Sequence, residues 1–184
     1  MQYLISDTHF FHDREFIWKV RGFSSEKEMR LKYINEWNNT VHDNDDVYVL
    51  GDFCLGNNHE GIINLVQSLK GKIHLIIGNH DTDGKIKLYR ECKNIVEIVY
   101  ATIVVYNKRR YYLSHYPTEV ATLESDPDTC MINVHGHLHT KQMFYEDKPY
   151  HVNVATNVTG GKLLTFDDIN RYFYEKVEEC KQFL

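Results

Sequence analysis

Acidic, imidazole and amide side chains recur in five short segments of this chain, each directly after a segment predicted to form a β-strand. The segments are Asp7-Thr8-His9, Gly51-Asp52, Gly78-Asn79-His80-Asp81, Ser114-His115 and Gly136-His137-Leu138-His139. Loops at strand ends commonly build the site of an α/β protein. Carboxylate, imidazole and amide oxygen together make a ligand set suited to divalent first-row metals. The pattern therefore predicts a metal site built from strand-end loops.

Two features of these segments favour convergence of their side chains. Asp7 and His9 are separated by one residue, as are His137 and His139, so each pair can turn towards one point where the chain leaves its strand. Glycines open three of the segments, and a glycine lets the backbone turn tightly or approach a ligand closely. Each segment alone has an ordinary explanation as a turn, a helix cap or a packed histidine. One shared site explains all five together.

The first half of the chain alternates predicted strands with predicted helices. Short apolar runs predict strands at residues 3–5, 47–50 and 73–77. Ser25 and Glu28 have the spacing of a capping box, and apolar residues follow them at near-helical spacing, so a helix is predicted there. A second helix is predicted over residues 62–69. Because the strands are almost continuously apolar, we expect a sheet buried on both faces.

The second half is richer in predicted strands. Residues 95–106 are dense in β-branched and aromatic side chains, and residues 111–113 are predicted to pair back with them across a polar turn at 107–110. Two more strands are predicted at residues 131–134 and 151–154. Asp167 is the predicted cap of a last helix that carries one apolar stripe. With no repeat and no flexible linker, we predict a single α/β domain over residues 1–184.

Composition and charge limit the classes of partner. The formal net charge is -5 and residues 108–110 form the only basic triplet, which does not favour a protein that binds nucleic acid mainly through phosphate contacts. No apolar run approaches the ~18 residues that a membrane span needs. A strand predicted from residue 3 leaves no room for a signal peptide. We therefore expect a cytoplasmic protein with no membrane partner.

The 13 tyrosines are expected to fill core and surface rather than to form a base-stacking platform.

Taken in order, the five segments resemble the motifs of the calcineurin-like metallophosphoesterase superfamily. The motifs present are Asp-x-His, Gly-Asp, Gly-Asn-His-Asp, His and Gly-His-x-His, from Asp7 to His139, about three quarters of the chain. The chain is most similar to the small single-domain bacterial and phage phosphoesterases, whose first motif reads Ser-Asp-Thr-His-Phe. The resemblance implies an α/β fold in which a two-sheet β-sandwich is flanked by helices.

Two departures from the superfamily pattern bear on function. Ser6 stands where many members have glycine, but the neighbouring metal-binding residues are present, so metal binding is still expected. Gly51-Asp52-Phe53-Cys54 lacks the Asp-Arg-Gly that follows in the Ser/Thr protein phosphatase branch. That difference argues against a protein-phosphatase role.

The resemblance implies seven metal ligands. One ion would be held by Asp7, His9, Asp52 and His139, and a second by Asp52, Asn79, His115 and His137, with Asp52 shared. A shared carboxylate can hold two cations ~3.5–4 Å apart. The implied activity is hydrolysis of a phosphodiester, or another phosphate ester, by attack of a hydroxide held between the two ions. The oxygen and nitrogen ligands suit Mn²⁺, Fe²⁺, Ni²⁺ or Zn²⁺.

The resemblance also implies catalytic roles for His80 and Asp81, and three residues outside the motifs are candidates for substrate binding. His80, which is not needed as a ligand, would contact the phosphate and donate a proton to the leaving oxygen. Asp81 would accept a hydrogen bond from His80 and fix its orientation. His12 follows the first motif closely and could reach a substrate phosphate, and Asn57 and His59, in the loop after the second motif, could line the same cleft.

The substrate, the oligomeric state and two other functions remain open at this point. The substrate is a phosphate ester, with a nucleotide among the options, and phosphodiesterase activity is favoured by analogy with similar small members. One alternative is a nuclease acting on DNA or RNA, although this short acidic chain lacks the extra DNA-binding segments of that branch. The other is a non-catalytic interaction module, which would be expected to have lost ligands or the acid histidine. The strands at 95–113 offer a dimerisation edge, without requiring one.

Overall fold

The computed structural model describes residues 1–122 and 125–181, and these residues form two packed β-sheets. The first sheet has the strand order β4-β3-β2-β1-β9. Its strands are β1 (Gln2–Ile5), β2 (Asp46–Leu50), β3 (Lys72–Ile76), β4 (Ile95–Val99) and β9 (Leu164–Thr165). Strands β1 to β4 are parallel, and β9 pairs antiparallel with β1.

The second sheet has the order β5-β6-β7-β8. Its strands are β5 (Ala101–Tyr106), β6 (Arg109–Ser114), β7 (Ile132–His135) and β8 (His151–Asn153). Strands β5 and β6 form an antiparallel hairpin, whereas β6, β7 and β8 are parallel. The hairpin turn consists of Asn107 and Lys108, both with positive φ. Two such residues match the twist of the strands that they join.

Six α-helices accompany the sheets in the described part of the chain. They are α1 (Glu15–Trp18), α2 (Glu26–Thr40), α3 (His59–Ser68), α4 (Asp83–Tyr89), α5 (Thr156–Thr159) and α6 (Phe166–Lys181). Helix α2 begins as predicted, because the Ser25 side chain accepts a hydrogen bond from the Glu28 amide. Within the described ranges, no helix has both the length and the apolar character needed to cross a bilayer.

The first sheet is buried on both faces, as its apolar strands predicted. Alternate residues of each strand point to opposite faces. In β2, Val47 and Val49 join a core cluster that includes Trp37 of α2. Tyr48 and Leu50 join a second cluster that contains residues of the other sheet and of α6. The predicted α/β fold with two sheets flanked by helices is therefore confirmed.

One local prediction was wrong. Helix α6 is capped by Thr165, whose hydroxyl accepts from the Asp168 amide while the Asp168 carboxylate accepts from the Thr165 amide. The predicted cap, Asp167, instead accepts a hydrogen bond from the Tyr106 hydroxyl. The predicted pairing of residues 111–113 with the 95–106 segment is confirmed in β5 and β6, and the chain crosses at Tyr100 from the edge of the first sheet to the edge of the second.

The predicted site segments all follow the carboxyl ends of strands. Asp7, Asp52 and Asn79 follow β1, β2 and β3 of the first sheet. His115 and His137 follow β6 and β7 of the second sheet. The site is therefore assembled from both sheets.

Candidate metal centre

Several site residues leave their strands in the left-handed backbone conformation. Asp7, His9, Asp52 and His137 have φ values of 56°, 49°, 53° and 66°. This conformation is uncommon for residues other than glycine, and the surrounding structure must hold it. Backbone hydrogen bonds do so here, from the Asp7 amide to the Gly51 carbonyl and from the His9 amide to the Asp52 carbonyl, each 3.1 Å long. The unusual backbone turns these side chains towards one another.

The side chains of Asp7, His9, Asp52 and His139 form the first group of potential ligands. One ligand atom from each lies within 4.8 Å of all the others. The Nε2 atoms of His9 and His139 are 3.1 Å apart. Asp7 Oδ1 lies 3.7 Å from His9 Nε2 and 3.4 Å from His139 Nε2. Two carboxylates and two imidazoles that face one point are a donor set for a divalent cation.

The Asp7 carboxylate tests whether a metal fits this group. Its Oδ2 atom lies 2.7 Å from the Ser6 hydroxyl and accepts the His137 amide at 2.9 Å. Its Oδ1 atom is buried without a hydrogen-bond partner. Burial alone would raise the pKa of Asp7, but the adjacent imidazoles of His139 and His9 outweigh burial and hold the pKa well below its usual range. A buried, ionised oxygen without a partner is costly, and a cation at this point would satisfy it.

A second group of potential ligands lies on the other side of Asp52. Asn79 Oδ1 is 2.9 Å from His137 Nδ1 and 3.0 Å from His115 Nε2. The same His115 Nε2 atom is 3.6 Å from Asp52 Oδ1. The other ring nitrogen of His115 lies 2.8 Å from the Leu50 carbonyl, to which it donates. That bond leaves Nε2 as the nitrogen available to a metal, and metal-binding histidines usually donate their other ring nitrogen in this way.

Asp52 lies between the two groups and faces both. Its Oδ2 atom is 3.6 Å from His9 Nε2 in the first group. Its Oδ1 atom faces His115 in the second group and also accepts the His80 amide at 2.8 Å. The side chain is only 1% exposed. This arrangement is what a carboxylate shared by two ions requires.

His80 and Asp81 lie where the sequence placed them, but they do not pair. The His80 side chain is 47% exposed, and its Nε2 atom is 4.0 Å from Asp52 Oδ2. Asp81 is buried and accepts the amides of Asp52, Gly78 and Phe53. It also accepts the Tyr89 hydroxyl at 3.1 Å. The predicted hydrogen bond from His80 is replaced by these bonds, because Asp81 points under the loop while His80 points outward.

The three predicted substrate-binding residues occupy different positions. His12 lies at the site, with its Nδ1 atom 3.1 Å from His9 Nδ1 and its ring centroid 6.3 Å from that of His80. Burial, together with the nearby His9 and His80, lowers the pKa of His12 to about 4. Asn57 and His59 are exposed at the start of α3. Neither of them belongs to the first ligand group, whose members in the described part of the chain are Asp7, His9, Asp52 and His139.

Three glycines leave room for the site. A methyl group on Gly136 would collide with the side chains of Ser6 and Asp7. One on Gly78 would collide with the Asp52 carboxylate, and one on Gly51 would meet His115 Nδ1. The close backbone approach expected of these glycines is therefore present.

Two supporting residues were missed by the sequence analysis. The Arg21 guanidinium donates to the Asp7 carbonyl at 2.9 Å, and the Thr156 hydroxyl donates to the same carbonyl at 2.7 Å. Together they fix the backbone at Asp7, one of the site residues with a left-handed conformation. Neither residue lies in a recognisable motif, so no sequence signal could have identified them.

A buried asparagine supports the loop that carries the last histidines. Asn153, on β8, donates from Nδ2 to the carbonyls of Leu138 and Gln142, at 3.0 and 3.3 Å. Its Oδ1 atom accepts the Ala155 amide at 3.0 Å. The sequence analysis predicted Asn153 within a strand but gave it no role. Its contacts connect strand β8 to the segment around His139.

Comparison with known proteins identifies the family. Residues 1–159 match the model of the calcineurin-like phosphoesterase superfamily domain. The chain belongs to this superfamily, as its motifs predicted.

Similar proteins extend over most of the chain. It is 34% identical over 170 residues to the uncharacterized protein MJ1445 of Methanocaldococcus jannaschii. This alignment covers 90% of this chain and 86% of that protein. The crystal structure of AQ665 from Aquifex aeolicus, a protein of unknown function, aligns over 93% of this chain and 98% of its own, with 26% identity and a TM-score of 0.73. An archaeal phosphodiesterase aligns over 84% of this chain and 81% of its own, with 16% identity and a TM-score of 0.49.

Proposed function

We propose that this chain is a metal-dependent phosphoesterase that hydrolyses a phosphodiester. The observation that carries the proposal is the position of Asp52, whose two carboxylate oxygens face separate groups of ligand side chains. Membership of the calcineurin-like superfamily supports hydrolysis of a phosphate ester. The preference for a diester, the use of two ions and their identity as Mn²⁺, Fe²⁺, Ni²⁺ or Zn²⁺ are parts of the proposal.

The donor sets fit two divalent ions. Asp7, His9, Asp52 and His139 would hold one ion, and Asp52, Asn79, His115 and His137 the other. The buried Asp7 oxygen without a hydrogen-bond partner supports the first site. When bound, such ions neutralise charge on a phosphate and lower the pKa of water.

His80 is placed to act on the substrate rather than to hold a metal. Its side chain is exposed, whereas Asp52 and His115 beside it are almost fully buried. The Asp52 carboxylate accepts the His80 backbone amide, which fixes the position of the imidazole at the rim. From there His80 would contact the phosphate and donate a proton to the leaving oxygen. Asp81 would support this step indirectly, since its bonds hold the loops that carry Asp52 and Asn79.

The exposure of the site leaves room for a diester substrate. Asn79, His80 and His139 are all exposed, so the ligand groups lie at an accessible surface. A diester has a substituent on each side of the phosphate, and an accessible site leaves space for both.

The test begins with protein stripped by a chelator and reloaded with Mn²⁺, Ni²⁺, Zn²⁺ or Mg²⁺ in turn. Cleavage of bis-p-nitrophenyl phosphate is compared with cleavage of p-nitrophenyl phosphate, and bound metal is counted by elemental analysis. We expect two ions per chain and a preference for the diester. His80→Ala should lower turnover and keep both ions, whereas Asp52→Asn should lose metal and activity together. His42→Ala is the control, because its side chain is 84% exposed and lies before β2, away from the site.

The possible results separate the parts of the proposal. Preference for the monoester would make the protein a phosphatase. Loss of metal in the His80 variant would show that its assigned role is wrong. A wild-type chain that binds no metal would refute the proposal as a whole.

A further inference from the structure

An exposed aromatic side chain adjoins the second ligand group. The Tyr116 ring is 48% exposed. Its centroid lies 4.6 Å from the His137 ring and 5.1 Å from the His115 ring, edge-on to both. The backbone beside it is fixed, because the Ser114 hydroxyl donates to the Tyr116 carbonyl at 2.6 Å. The Tyr116 ring therefore packs against two predicted ligands and leaves about half of its surface exposed to solvent.

A second exposed ring adjoins the first ligand group. Phe16 is 66% exposed, and its ring centroid lies 5.7 Å from that of His12 in an edge-on contact. The His12 ring in turn stacks 5.2 Å from His9. Tyr116 therefore adjoins the second ligand group, and Phe16 adjoins the first through His12.

The position of these rings is informative, although single exposed apolar residues are normal on protein surfaces. Two large rings that adjoin one polar site place flat apolar surfaces beside the expected phosphate position. Nucleobases stack on such rings and are joined through a sugar to phosphate. The net charge of -5 and the presence of only one basic triplet, at residues 108–110, disfavour a long nucleic acid. A small nucleoside ester fits both observations.

We propose that Tyr116 forms a stacking subsite for a nucleobase, so that the substrate is a small phosphodiester carrying a nucleoside, with Phe16 beside the other substituent. This inference rests on the proposed phosphodiesterase activity. It departs from the expectation that the tyrosines only fill core and surface.

Two esters with the same leaving group test the subsite. Thymidine 5′-(p-nitrophenyl phosphate) carries a nucleoside, and methyl p-nitrophenyl phosphate does not. Tyr116→Ala should lower the ratio of kcat/KM for the nucleoside ester to that for the methyl ester by roughly 5- to 150-fold, the range for loss of one stacked base. Tyr116→Phe keeps the ring and should keep the ratio. Tyr100→Ala is the matched control, since Tyr100 is 76% exposed and lies between β4 and β5.

Binding supplies a measurement that does not depend on turnover. Thymidine 5′-phosphate is titrated against the Mn²⁺-loaded chain, and Tyr116→Ala should raise the dissociation constant by a similar factor. Equal losses on both esters would show that Tyr116 only supports His115 and His137, and unchanged kcat/KM for both esters would show that no base stacks there. Either result overturns the inference. Tyr116-dependent binding without cleavage of either ester would instead refute the proposed activity and leave the subsite standing.

Discussion

Replacing Asp81 with asparagine distinguishes a supporting role from a direct partnership with His80. In the structure, Oδ2 of Asp81 accepts the amides of Asp52 and Gly78, at 2.8 and 2.9 Å. Its Oδ1 atom accepts the Phe53 amide at 3.2 Å and the Tyr89 hydroxyl at 3.1 Å. Asparagine can keep only one of these oxygens, and its NH₂ group would face an amide donor.

The expected loss follows from these bonds. If the retained oxygen keeps the two shorter bonds, the Phe53 amide loses its acceptor, which costs about 1–3 kcal/mol for a buried donor. The two retained bonds change from a charged to a neutral acceptor, and each change lowers the stability by about 1 kcal/mol. Asp81→Asn should therefore lower the free energy of unfolding by about 3–5 kcal/mol, a large part of the ~5–15 kcal/mol of a typical domain. The same loosening should weaken metal binding through Asp52 and Asn79.

Urea unfolding of the metal-free protein at pH 8 measures this loss. His80→Ala is the matched control, because an exposed side chain contributes little to stability, within about 0.5 kcal/mol. If Asp81 acted only by orienting His80, both variants would unfold like the wild-type chain and both would lose turnover. Unchanged stability in Asp81→Asn would refute the supporting role.

Three further predictions concern the same site. Mn²⁺ at 100 times its dissociation constant should raise the free energy of unfolding by about 2.7 kcal/mol in urea titrations, and no rise would show that the folded chain does not bind the ion selectively. Gly136→Ala should lose metal binding in equilibrium dialysis, because its methyl group meets buried atoms, whereas Gly84→Ala has 3.9 Å to its nearest neighbour and should bind normally. Asn153→Asp removes the side-chain hydrogen bonds to the Leu138 and Gln142 carbonyls and should weaken metal affinity by roughly 10- to 100-fold. Asn39→Asp, at an exposed position, should leave the affinity unchanged. Equal affinities of the two variants would argue against support by Asn153.

Much of the fold could be predicted, because buried strands and helices place apolar residues at regular positions in the sequence. The apolar runs that became β1, β2 and β3 were located within about two residues, since both faces of these strands contact apolar cores. Helix α4 was missed, because it has only seven residues and little apolar periodicity. The crossing between sheets at Tyr100 was also missed, since local alternation does not encode which sheet a strand joins.

The candidate site was also only partly predictable from the sequence. Ligand-type residues were recognisable from the motifs, and the structure brings the side chains of those segments together. The partners of Asp81 could not be predicted, since they are backbone amides whose positions depend on loop conformation. Arg21 was missed for the same reason, because its partner is a carbonyl made available by the left-handed turn at Asp7.

The division of the site between two sheets has a kinetic consequence. His9 and His139 meet although they are 130 residues apart in the chain, and contacts of such long range form only after extensive loop closure. A metal bound between them would stabilise the native state much more than the transition state of folding. Metal binding would then slow unfolding while leaving the folding rate nearly unchanged. The metal-bound protein would then stay folded mainly because its barrier to unfolding is high.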